Sequence, residues 1–163
     1  EELPSTRNMN LFEHEYFAIF TYLKFLYTVR EDFQEVLYWD AIQSQLKIKG
    51  QRQEIVEGAK IWAMMAHVEL GNYSIVQSMC RSYLRMNTDG PSQTEVFIRH
   101  LQKLPVPELE MADFMKELHA EMLAIDPALV QRAPGFMAWI ESKFTKRSIL
   151  EIVGEQIGIG KSK

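Results

Sequence analysis

Apolar positions recur every three or four residues along most of the chain, with polar positions filling the gaps. That spacing traces one face of an α-helix, which turns once in about 3.6 residues. It predicts helices over residues 9–28, 32–48, 52–69, 73–87, 92–103, 107–124 and 135–153, with a short turn at 127–132. A half-buried strand would instead alternate apolar and polar residues, and no clean alternation runs for six residues. Asp89-Gly90 is a hairpin-type pair, but it stands between helical patterns.

Residues that interrupt helices fall between these segments. Gly50 is placed to end the second helix, and Gly71-Asn72 separates the third from the fourth. Asn87-Thr88-Asp89-Gly90-Pro91 reads as a turn, followed by a capping box in which Ser92 and Glu95 satisfy each other's backbone amides. Pro105 and Pro107 stop the fifth helix and start the sixth. Asp126-Pro127 reads as an N-cap with proline at the first helical position, and Ala133-Pro134-Gly135 opens the last amphipathic segment. Helices joined by such short loops pack as antiparallel neighbours. The expected fold is all-α: a compact bundle of about seven helices with short loops. It forms one domain over 1–155, with a flexible tail over 156–163.

Composition narrows the function classes. Hydrophobic residues make up 47% and charged residues 25% of 163 positions, enough apolar surface for a core and too much for a disordered chain. The net charge of −4 disfavours direct binding to nucleic acid or an anionic membrane. Every apolar run is broken by charge before the ~20 residues of a membrane span. The acidic start EELPSTRN is unlike a signal peptide. The single cysteine, Cys80, excludes an internal disulfide framework and fits a reducing, intracellular compartment, cytoplasmic or nuclear.

Candidate chemistry is sparse. Histidines stand beside carboxylates at Glu13-His14-Glu15, His67-Val68-Glu69 and His119-Ala120-Glu121, and His100 stands apart. A di-iron bundle needs Glu-x-x-His, whose two ligands share a helix face; here the pairs are one or two residues apart and point to different faces. Cys80 falls on the apolar side of its helix with Val76, Tyr83 and Leu84, where a thiol acts as a small hydrophobe. No phosphate loop or Gly-x-Ser-x-Gly occurs. Trp39, Trp62 and Trp139 each sit among aliphatic residues and are expected in the core. In TYLKFLYTVREDFQEVLYWDAI, Thr21–Ile42, the aromatics read as two helices facing one core. The charged corner REDFQE between them is exposed, with Asp32 capping the second helix.

Two resemblances follow from quoted residues. Ala66, Gly71, Tyr73, Leu84 and Asn87 fall where the middle of a tetratricopeptide repeat places small, Gly, Tyr and aliphatic positions. The segment covers less than one repeat and its ~34-residue period does not recur, so it implies one helical hairpin with repeat-like packing. Over more of the chain, Tyr22, Leu23, Phe25 and Leu26, then Tyr38, Trp39 and Ala41, resemble the early core of RGS-homology domains, helical modules that regulate G proteins. Ala59-Lys60-Ile61-Trp62 and the later Phe136, Trp139, Ile140, Ser142 and Phe144 resemble further stretches of that family. Where the family holds a G protein through polar residues, this chain has Gln34, Glu35, Pro134 and Ala138. The resemblance therefore implies a non-catalytic scaffold of RGS shape rather than an accelerator of GTP hydrolysis.

These readings lead to a non-enzymatic helical protein-interaction module, a scaffold or signalling domain, with no cofactor and no metal. It takes a protein partner, and a homodimer is open. Expected contacts are Arg30, Glu31, Asp32 and Gln34 at the corner, Asn72 and Tyr73 at the second turn, and Lys143, Lys146 and Arg147 at a basic edge. The alternatives are a transcription-regulatory or assembly domain acting through partners, and a metal-dependent helical-bundle enzyme using His14, His67 and His119.

Overall fold

The structure, a computed structural model, describes the backbone of residues 6–46, 53–86 and 93–158, and the side chains of 15–46, 58–85 and 93–158. Gly50, the turn at 87–91, Ser92, the His14 side chain and the end of the tail lie outside the described residues. Among the described residues every regular element is helical, as the periodicity predicts. Backbone contacts group the chain into two units, Glu1–Glu69 and Leu70–Lys163.

The first unit holds α1 (Thr6–Val29), α2 (Phe33–Gln43) and α3 (Gln53–Glu69), each packed on the other two. Its buried apolar residues include Phe17, Val29 and Val36, with Ala59, Ala63 and Ala66 on α3. Asp32 caps α2 as expected, its carboxylate accepting from the Glu35 amide at 3.3 Å. α2 ends at Gln43, short of the predicted residue 48.

The second unit holds α4 (Tyr73–Met86), α5 (Gln93–Leu101), a 3₁₀ turn at Glu108–Glu110, α6 (Met111–Ile125), α7 (Leu129–Arg132), α8 (Pro134–Thr145) and α9 (Ile149–Gln156). α8 is its centre. It packs on α6, α7 and α9, and every residue from Gly135 to Ile140 is buried. A helix that is apolar all round belongs inside. Trp139 is fully buried, edge-on to Phe97 with centroids 6.2 Å apart, and Phe97 is edge-on to Phe136 at 4.8 Å.

Three expectations are corrected here. The single helix over 135–153 is two, α8 and α9. Lys146 takes a left-handed conformation at φ 58, and Ser148 with Glu151 forms a capping box that starts α9. Asp126 closes α6 instead of opening the next helix; its carboxylate accepts from the Ala128 amide at 2.9 Å and pairs with Arg132. Trp39 and Trp62 are half-buried, unlike Trp139.

A local repetition also emerges that the sequence reading missed. After α1 the chain turns through Arg30 and Glu31 (φ 60) to the cap Asp32; after α3 it turns through Leu70 and Gly71 (φ 70) to Asn72. In both cases the residue four beyond the cap, Val36 or Val76, is fully buried and donates its amide to the cap carbonyl, at 3.2 Å each. Glu31 and Gly71 stand 40 positions apart. The glycine signal that marks the second turn is absent from the first because Glu31 adopts the left-handed conformation without it.

Candidate interaction surface on the first helix

α1 has a buried, largely polar inner side and an apolar outer side. Its inner side carries Phe17, Thr21, Lys24 and Thr28, spaced four, three and four residues apart. Lys24 is fully buried, and its ammonium donates to Asp40 Oδ1 at 2.7 Å and to the Ala59 carbonyl at 2.8 Å. Thr28, also fully buried, donates to the Lys24 carbonyl at 2.8 Å. Gln43 is buried and donates to the Phe17 carbonyl and to Thr21 Oγ1, both at 2.8 Å. The Lys24 ammonium therefore ties α1 to both α2 and α3, and Gln43 adds a second tie between α2 and α1. Burial pushes the Lys24 pKa down; the charge and hydrogen bond of Asp40 oppose that shift.

The outer side carries Tyr16, Ile19, Leu23 and Leu26, spaced three, four and three residues apart. Tyr16 is 51% exposed, Ile19 50% and Leu26 37%, and Tyr22 beside them reaches 60%. Leu23 is half-buried. At about 3.6 residues per turn these five side chains form one stripe facing away from Lys24. The aromatics of Thr21–Ile42 are thus not all explained by two helices facing one core. Ring contacts run from the stripe to half-buried Trp39: Tyr16 stacks on Phe20 at 6.1 Å, Phe20 on Trp39 at 5.5 Å, and Trp39 meets exposed Tyr38 edge-on at 5.3 Å. Tyr22 leads likewise through Phe25 (6.1 Å) to Trp62 (5.8 Å).

The sequence-predicted contacts fall into three places. Arg30, Glu31, Asp32 and Gln34 are exposed at the end of the stripe, and the Arg30 guanidinium lies 6.0 Å from the Tyr27 ring centre. Asn72 and Tyr73 are half-buried at the start of α4. Lys143 lies over the Trp139 ring at 5.8 Å, Lys146 is exposed, and Arg147 is held by Glu155 at 2.8 Å with Glu141 at 3.8 Å. The stripe itself was not among those contacts. Its signal was Tyr16, Ile19, Tyr22 and Leu26 at helical spacing on a helix whose opposite side carries Thr21, Lys24 and Thr28.

The second unit has an open cleft of about 550 Å³ lined by Val96, Arg99, His100, Gln102, Lys103 and Glu121. His100 is buried against the Phe114 ring, with Nδ1 3.6 Å from Glu121 Oε2, and its Nε2 has no hydrogen-bond partner among the described residues. Burial, then Lys103, pushes its pKa down, while Glu121 and Glu117 act against the shift. Cys80 is fully buried, and burial pushes its thiol pKa up to about 11, so it is protonated at neutral pH. His67 belongs to the first unit and His119 to the second. Among the described residues no three His, Cys, Asp or Glu side chains are grouped to hold a metal, and no helix is long and apolar enough to cross a membrane.

Compared with family models, curated proteins and solved structures, the chain matches none.

Proposed function

We propose that this chain is a helical protein-interaction module that docks a partner protein along the outer face of α1 and performs no covalent chemistry itself. The observation that carries this reading is the stripe of Tyr16, Ile19, Tyr22 and Leu26, each more than a third exposed on one side of one helix. Isolated exposed hydrophobics are ordinary, but a contiguous apolar band on a helix is the usual form of a helix-in-groove contact. Tyrosine suits such a band because it contributes large, stiff contact area and a polar tip. Arg30, Glu31, Asp32 and Gln34 lie at its end and supply a polar rim.

The test uses the chain as bait in affinity capture from its native source, beside an Ile19→Glu/Leu26→Glu variant. Both positions are exposed, so the variant should keep its helix content and lose no more than ~0.5 kcal/mol of stability per site. The expected result is a set of proteins retained by the natural chain and lost from the variant. The same set on both baits would overturn the reading.

A further inference from the structure

We propose that the occupant of the α1 face is a second copy of this chain, lying antiparallel to the first; the inference rests on the docking reading above. The outer positions Tyr16, Ile19, Leu23 and Leu26 follow the three-four spacing of a helix-pairing seam. Such a seam is self-complementary, because each side chain fits between four of an identical helix.

Charge selects the orientation. Glu15 lies near one end of the seam and Arg30 at the other; both are exposed, and neither has an ion-pair partner among the described residues. A two-fold axis between Tyr22 and Leu23 sets Ile19 opposite Leu26 of the second copy, so the central apolar pairs match. The same axis sets Glu15 opposite Arg30 of the second copy at both ends, giving two opposite-charge pairs. A parallel pairing would set Glu15 against Glu15 and Arg30 against Arg30, repulsive at each end. Tyr22, the most exposed of the stripe at 60%, would lie at the centre, where aromatic contacts contribute most to binding.

Sedimentation equilibrium of the purified chain tests this, with a charge-swap set. The natural chain should form a dimer with a Kd on the order of 10 μM, as fits one helix pair. Ile19→Glu should be monomeric at every concentration, and at concentrations well below the dimer Kd, where the natural chain is also monomeric, the two should melt alike. Glu15→Arg and Arg30→Glu should each weaken the dimer about tenfold, since each turns both end pairs from attraction to repulsion. The double variant Glu15→Arg/Arg30→Glu restores opposite charges at both ends and should return to within about twofold of the natural chain. In a parallel dimer each single swap would change little, and the double swap would restore nothing.

A natural chain that stays monomeric overturns the proposal, as does a dimer indifferent to Ile19→Glu or a double variant as weak as the singles. If the chain is monomeric yet its captured proteins are still lost from Ile19→Glu/Leu26→Glu, this inference fails and the docking reading stands. If those proteins are also unaffected, both fail.

Discussion

The two units solve opposite problems. The second buries its largest aromatic, Trp139, in a core of Phe97, Phe136, Met137 and Ile140, and its exposed apolar residues are spread over four elements: Ile75 on α4, Leu109 on the 3₁₀ turn, Ile125 at the end of α6, and Leu150 and Ile157 on and just after α9. The first places an ammonium, two hydroxyls and an amide along the inner side of α1, and leaves tyrosines, an isoleucine and a leucine together on its outer side. Scattered exposure is what any folded surface shows, whereas concentrated exposure marks a face made for contact. The difference separates a unit whose apolar surface is used internally from one that holds part of it in reserve.

The largest test of that contrast is Trp139→Ala, expected to cost about 4 kcal/mol in chemical denaturation, while Tyr22→Ala should cost under ~0.5 kcal/mol. Comparable losses at the two sites would erase the distinction between core and reserved face.

The polar interior of the first unit gives the next. Asp40→Ala leaves the fully buried Lys24 ammonium without its carboxylate and should cost about 3 kcal/mol. Adding Lys24→Met should recover most of that loss, because a well-packed apolar group can replace a buried ion pair at little cost. No recovery would mean that Asp40 acts through something other than Lys24.

Acid should weaken the fold by a smaller amount. Burial depresses the folded pKa values of His67, His100 and His119 below the ordinary histidine value. The unfolded chain then binds more protons in the window just below about pH 6.5, so the contribution is intact above that pH and is lost as pH falls through the folded values. Melting temperatures from pH 8 to 5 check this, and His100→Gln should flatten part of the decline. A curve flat down to pH 5 would contradict the burial of these rings.

The smallest effect concerns the turn that resembles the one at Gly71. Glu31 adopts φ 60 with a side chain, so Glu31→Gly should stabilise the chain by roughly 0.5–1 kcal/mol, whereas Gly71→Ala should destabilise it. Loss of stability in Glu31→Gly would show that the Glu31 side chain contributes more than its backbone strain costs.

Much of the fold was legible because its signals are local. Asp32 at a cap, Gly71 at positive φ and Pro134 at the first turn of α8 act within one helical turn of themselves. The α8–α9 break shows where that reading failed. Ser148-Ile149-Leu150-Glu151 spells a capping box, but apolar residues on both sides kept the three-four spacing and hid the interruption at Lys146. Lys24 was illegible for a different reason. A lysine inside YLKFLY reads as a solvated break until Asp40 and the Ala59 carbonyl, far off in sequence, converge on it. The proposed docking face was hidden because spacing assigns the apolar stripe Tyr16–Leu26 to the core, whereas the side that meets α2 and α3 is the more polar one, with Thr21, Lys24 and Thr28.

The central claim is that the outer face of α1 is a contact surface and that exposed apolar residues elsewhere are not. Tyr22 and Leu150 are nearly equally exposed, at 60% and 62%. Replacing each in turn by the photoreactive p-benzoylphenylalanine and irradiating the chain in its native extract measures what approaches each side chain. Strong adducts from position 22, suppressed by Ile19→Glu, with few from position 150, are the predicted result; equal yields from the two positions would contradict it.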